Sequence, residues 1–143
     1  MQDLAEMSLA VRNIGGLKFS AQTRKHKVIF DQPKEESGED RGMTPVELFI
    51  ASLGACIGTY IVWFCERHKI ATDGMRIDLS WASGENPTRI SRIRANLNLP
   101  VKVPESIRPA LVRTAKHCTI HNTLTHPPEV EISLIQRHCY ARR

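Results

Sequence analysis

The chain has 143 residues, a formal charge of +5 and 41% hydrophobic residues, enough for one domain with its own core and no need of disulfides or metals to hold it. Its basic residues are scattered from Arg12 to Arg143 apart from the short run RKHK at 24–27, and the few aromatics are not interleaved with them, so no nucleic-acid partner is expected. The start, MQDLAEMSLAVRN, contains acidic residues and no basic stretch leading into an apolar core; no secretory signal is read there, and a cytoplasmic chain is expected.

Three short alternating segments come first: Leu9 and Val11 in SLAVR, Leu17, Phe19 and Ala21 in LKFSA, and Val28 and Phe30 in KVIF, with NIGG as the first turn. They predict a small antiparallel meander. DQPKEESGEDRGM follows, polar and rich in charge, Gly and Pro. It reads as a mobile loop, placed so that it can act as an active-site flap. TPVE is a helix start, with Thr44 at the N-cap, Pro45 at the first helical position and Glu47 placed to close a capping box. The helix is predicted to run to about His68, where Arg67, His68 and Lys69 suit the negative end of its dipole.

MRIDLSWAS, with Ile77, Leu79 and Trp81 on one side, and ISRIRANLNL, with Ile93, Ala95, Leu97 and Leu99 on one side, are joined by GENP and predict a hairpin. PESIRPALVRTAKHC predicts a second helix, with Ile107, Ala110, Leu111, Thr114 and Cys118 at spacings of three and four. It starts at Pro104 or, because Pro109 falls in its first turns, nearer Ser106 or Ile107. EVEISLI, where Val130, Ile132 and Leu134 alternate, predicts a last strand. The result is an α+β single domain over residues 1–143, in the order β-β-β-α-β-β-α-β, around a long central buried helix.

Residues 48–65 carry no charge, and that length alone is compatible with a membrane span. Ser52, Gly54, Gly58 and Thr59 within it, and flanking strands that need an apolar partner, favour a buried helix and no membrane. At 100° per residue its faces differ. Ala51, Gly54, Ala55 and Gly58 form a small-residue stripe that lets another helix approach, while Phe49, Ser52, Cys56, Tyr60 and Trp63 form an aromatic wall around one thiol. Such a helix has more apolar surface than one modest sheet covers, which predicts a homodimer with the central helices packed together.

The four cysteines, Cys56, Cys65, Cys118 and Cys139, include no C-x-x-C pair, which argues against a zinc knuckle or a thioredoxin motif. In a reducing compartment each is a free thiol, either filling or chemically used. Cys65 falls about half a turn from Cys56, near the small stripe, and reads as filling. Cys118 continues the apolar face of the second helix and so points at the core where Cys56 lies. Inert packing is the bland account of two such cysteines. Against it, Lys116, His117 and His121 surround Cys118 and would stabilise a thiolate, and the flap offers a way in. KHCTIH with His126 has zinc-ligand residue types but no second cysteine pair and no HExxH spacing, so no metal is expected.

TPVELFIASLGAC, followed sixty-odd residues later by AKHCTIHNTL and EVEISL, resembles the OsmC/Ohr family of thiol-dependent hydroperoxide reductases and their less characterised relatives, over about residues 9–135. The resemblance implies an intertwined homodimer with the two long helices central and the active sites at the subunit interface. It also implies a peroxidase cycle for an organic hydroperoxide substrate: Cys56 becomes a sulfenic acid, Cys118 condenses with it to a disulfide, and a dithiol reductant, a small thiol or a lipoylated protein, restores both. No cofactor, neither metal nor flavin, is implied.

The family's hydroperoxidases carry an arginine in an early Gly-Gly turn and a glutamate ten positions before the first cysteine; here those positions hold Leu17 and Val46. Cys56 lies three turns into its helix, beyond the reach of the N-terminal dipole, so a cation must come from elsewhere. Arg41 is the best replacement, ahead of Lys18 and Arg24. Glu47, one place on from Val46, either substitutes for the lost glutamate or serves only the capping box. The expected site is therefore Cys56 and Cys118 as catalytic residues, Arg41, Glu47, His117 and His121 as auxiliaries, and Phe49, Tyr60 and Trp63 as pocket, with no role assigned to Cys139. The alternative is a non-enzymatic dimer that binds a small ligand and whose thiols do not turn over.

Overall fold

The computed structural model describes residues 7–136; Cys139 lies outside them. Strands β1 (Ala10–Asn13), β2 (Phe19–Thr23) and β3 (His26–Phe30) form the expected antiparallel meander in the order β1-β2-β3. Asn13 fixes the first turn: its amide donates to the Gly16 carbonyl at 2.9 Å, and its side-chain oxygen accepts the Gly15 N–H at 3.1 Å. The register sets Val11 beside Ala21 and Ala21 beside Val28 on one face, with Phe19 beside Phe30. Val11, Phe19 and Val28 of that face remain exposed.

The loop 31–43 is tied down rather than mobile. Asp31, almost fully buried, accepts backbone N–H bonds from Gln32 at 2.8 Å and from Glu39 and Arg41 at 3.1 Å each. Burial works to raise its pKa, but those three N–H groups and the nearby Lys18 outweigh it and hold the carboxyl below its ordinary value. The loop makes one 3-10 turn, Lys34–Glu36. It then passes so close to its own start that a Cβ at Gly38 would lie 1.8 Å from the Gln32 carbonyl oxygen, so only glycine fits there.

Helix α1 (Pro45–Arg67) forms as its first residues predict, with Thr44 and Glu47 in a complete capping box and His68 at the C-cap. Strands β4 (Arg76–Gly84) and β5 (Arg89–Asn98) make the hairpin, with Ile77 opposite Leu97 and Trp81 opposite Ile93. The core gathers on one face of α1. Leu53, Ile57, Ile61 and Cys65 are buried with Leu111 and Cys118, and Ile77, Ile93 and Leu97 of the hairpin pack against them. The small-residue stripe receives the hairpin, not another helix: a Cβ at Gly54 would meet Leu79 Cδ1 at 2.6 Å, and one at Gly58 would meet Ile77 Cδ1 at 3.4 Å. The far side of α1, with Phe49 and Trp63, remains open to solvent, so within one chain the helix is buried along one face only.

The α+β class and the element order hold through the second helix, and two differences follow it. α2 spans Arg108–Lys116, starting after Ile107 as Pro109 requires, and a further helix, α3 (Thr119–Thr125), follows after a break at His117 and Cys118. The strand expected at EVEISLI does not form. Val130, Ile132 and Leu134 are 75%, 94% and 86% exposed, because among the described residues no strand lies beside them to complete a ladder, and an alternating pattern without a partner stays open.

Candidate active site

Cys56 lies at the border of the buried face of α1, one position before Ile57 and three after Leu53, and is partly exposed. Cys118 does not continue the face of α2. The chain turns extended at Cys118, which becomes the N-cap of α3, and its Sγ accepts the His121 backbone N–H at 3.3 Å. Thiols are uncommon N-caps, so little in the local pattern signals this one; the usual Ser, Thr, Asp or Asn is absent at that position. Asn122 secures the break by donating from its side chain to the His117 carbonyl at 3.2 Å.

The break turns Cys118 fully into the core, against which Cys56 packs. Burial pushes the Cys118 pKa up, the Cys56 thiol adds to the rise, and the His121 N–H opposes it. Cys118 is thus favoured as a neutral thiol, contrary to the thiolate expected from its basic neighbours, because His117 is turned to the surface as the C-cap of α2 and Lys116 is exposed. Cys65 is fully buried in the same core, and burial raises its pKa as well.

Tyr60 ties α1 to α3 through its hydroxyl, 3.2 Å from Thr119 Oγ1, and its ring lies 5.3 Å from that of Trp63. Neither ring is among the walls of the two apolar hollows along α1 and β5. Trp63 is half exposed. A groove of about 720 Å³, which neither Cys56 nor Cys118 lines, is walled by Phe49, Leu53 and Ile57 of α1, Ile93 of β5 and Leu124 of α3, with Arg92, Lys116 and His121 among its few polar residues. A second apolar hollow of about 510 Å³ continues it along β5 and shares Ile57. His121 Nδ1 is buried and has no hydrogen-bond partner.

The other expected auxiliaries lie apart. Glu47 spends its carboxylate on the cap, accepting the Thr44 N–H at 2.8 Å. Arg41 is exposed in the loop, 3.9 Å from Glu39, which also pairs with Lys18. Glu39 and Asp31 were missed in the sequence, where both read only as loop charges. Leu17 and Val46 are exposed apolar side chains. Among the described residues, no three His, Cys, Asp or Glu side chains converge to hold a metal ion.

Residues 38–133 match the family described as OsmC-like protein. No curated protein sequence is significantly similar to the chain. Among solved structures, the fold is similar to that of an osmotic stress induced and detoxification response protein from Psychrobacter arcticus, with a TM-score of 0.77 at 19% identity over 86% of this chain and 91% of that one. It is also similar to an organic hydroperoxide resistance protein from Legionella pneumophila, with a TM-score of 0.65 at 19% identity over 86% and 91%. A third likeness is to an organic hydroperoxide resistance protein from Elizabethkingia anophelis, with a TM-score of 0.66 at 17% identity over 89% and 93%.

Proposed function

Because the chain belongs to the OsmC-like protein family, we propose that it is a two-cysteine thiol redox protein that reduces organic hydroperoxides. The observation that carries this reading is the packing of a partly exposed Cys56 against the core that holds a buried Cys118. The hydroperoxide resistance proteins among its structural likenesses support the redox role.

Cys56, the more open thiol, attacks the outer oxygen of the hydroperoxide as a thiolate. The O–O bond breaks, Cys56 becomes a sulfenic acid, and the alkoxide leaves and takes a proton to become an alcohol. The Cys118 sulfur then displaces hydroxide from the sulfenic sulfur; its proton leaves with the hydroxide as water, and a disulfide forms. A dithiol, small or lipoyl-borne, reduces the pair and is itself oxidised to a disulfide. The raised pKa of Cys118 suits this second role, because it stays a thiol until the sulfenic acid forms.

The same reading makes the protein a single-domain cytoplasmic homodimer. The bare face of β1–β3 and the unpaired Val130, Ile132 and Leu134 support a second copy as their cover. At a site completed by that copy, Arg41 supplies the cation for the Cys56 thiolate, since within one chain its guanidinium stands in solvent beside Glu39.

Cys56→Ser is expected to abolish hydroperoxide-dependent oxidation of dithiothreitol. Cys65→Ser is expected to retain it while lowering stability by about 1–3 kcal/mol, from a hydroxyl buried without a partner. Activity surviving in Cys56→Ser would sink the assignment. The groove itself favours a second reading, a binding protein for a small apolar ligand. Stoichiometric binding without hydroperoxide consumption by the wild type selects that reading.

A further inference from the structure

Tyr60 walls neither apolar hollow, yet among the described residues its hydroxyl makes the single hydrogen bond between α3 and any other helix or strand, 3.2 Å from Thr119 Oγ1. Each end of that bond stands beside a thiol. Thr119 follows Cys118 directly and opens α3, while Tyr60 lies one helical turn beyond Cys56 on the same side of α1. Cys56 and Tyr60 are both packed against the core that holds Cys118.

A seven-residue helix has little stability of its own, so the place of α3 is set by what ties it to the rest of the chain. Three ties are visible. Cys118 is buried at its start, Ile120 packs against the core, and Thr119 is bonded to Tyr60. The Tyr60 ring lies 5.3 Å from that of Trp63 and is tilted 53° to it, an aromatic contact that steadies the ring whose hydroxyl reaches Thr119.

We propose that Tyr60 is the positioning residue of the thiol pair: its bond to Thr119 holds the first turn of α3, and Cys118 with it, against the turn of α1 that carries Cys56, and so favours closure of the Cys56–Cys118 disulfide. This deepens the redox reading and rests on its pairing of those two cysteines. Tyr60 touches neither substrate nor reacting atoms in this role. It acts through Thr119 on the place of Cys118.

The disulfide and the hydrogen bond would join the same two segments, so by linkage each strengthens the other. A bond that merely stabilised the fold would help the reduced and the oxidised protein equally and leave the balance between them unmoved. The position of the thiol–disulfide equilibrium therefore separates the two roles.

The test is that equilibrium in the full-length protein, set by mixtures of reduced and oxidised glutathione, quenched with acid, alkylated and read as the Cys56–Cys118 disulfide by peptide mass spectrometry. The exchange balances: two protein thiols give up two electrons and two protons, and one glutathione disulfide becomes two glutathione thiols. Tyr60→Phe and Thr119→Val are each expected to lower the equilibrium constant about threefold, the lower side of what one hydrogen bond contributes. The double variant is expected to lose no more than either single one, because both remove the same bond, and Thr119→Ser, which keeps the hydroxyl, is expected to match the wild type. Single variants with the wild-type constant, or a double variant whose loss is the product of the two single losses, overturn the positioning role. A wild type that forms no Cys56–Cys118 disulfide at any glutathione ratio overturns it together with the pairing. A wild type and variants that behave as expected, in a protein that consumes no cumene hydroperoxide, uphold the positioning role and overturn the peroxidase reading alone.

Discussion

Asp31 shows how much one residue organises. Its single carboxylate collects three backbone N–H groups and converts a charged, glycine-containing stretch into a shaped loop that presents Glu39 and Arg41. A carboxyl with a depressed pKa stabilises the fold above its unfolded value near 3.8, and that contribution is lost as pH falls through the lower folded value. Asp31→Asn should therefore lower the urea midpoint at pH 7 and narrow its distance from the wild type as the pH is taken below about 4. An unchanged gap between the two curves across that range would remove Asp31 as the anchor. Cys118 makes the complementary point. Its residue type was legible as chemistry, but its place was not, because the periodicity of AKHC carries straight through a break that only the Cys118 cap and the Asn122 bond reveal.

At the level of elements, α1 was the most readable part of the chain, since its start is written in local chemistry: Thr44, Pro45 and Glu47 act within one turn. Its partners were not readable, because a small-residue stripe states that something comes close without stating what. The two glycines facing the hairpin differ in a measurable way. At Gly58 an added methyl meets Ile77 Cδ1 at ordinary contact distance, so Gly58→Ala should stabilise by about 0.5–1 kcal/mol through helix propensity. At Gly54 the methyl would fall 2.6 Å from Leu79 Cδ1. Gly54→Val should cost about 1–3 kcal/mol by overpacking. Thermal melts of the two variants that move in the same direction would show that the hairpin does not rest on this stripe. The meander and the hairpin were legible for the same reason as the start of α1, because period-two patterns and turn residues lie together. The last strand was misread by the same rule, since alternation in EVEISLI specifies a strand but not the chain that pairs with it.

The whole molecule exposes 12358 Å², whereas a compact monomer of its mass would expose about 7,500 Å². Exposure beyond that of a compact monomer is surface that a second copy would cover. It coincides with the bare face of the meander, the open side of α1 and the segment at Val130–Ile132–Leu134. Sedimentation should thus give a dimer at micromolar concentration, and deletion of residues 127–143 should shift it towards monomer and aggregate. A stable, monodisperse monomer in the full-length protein would refute the proposed assembly.

The unpaired run after α3 has a consequence for supply rather than for chemistry. If each copy completes the other, a chain without a mate is an unfinished object, and the finished fraction rises with total concentration by mass action. Below the dissociation constant, activity would fall with the square of dose instead of in proportion to it. Expression level would then act as a threshold, with scarce protein nearly silent and abundant protein fully armed.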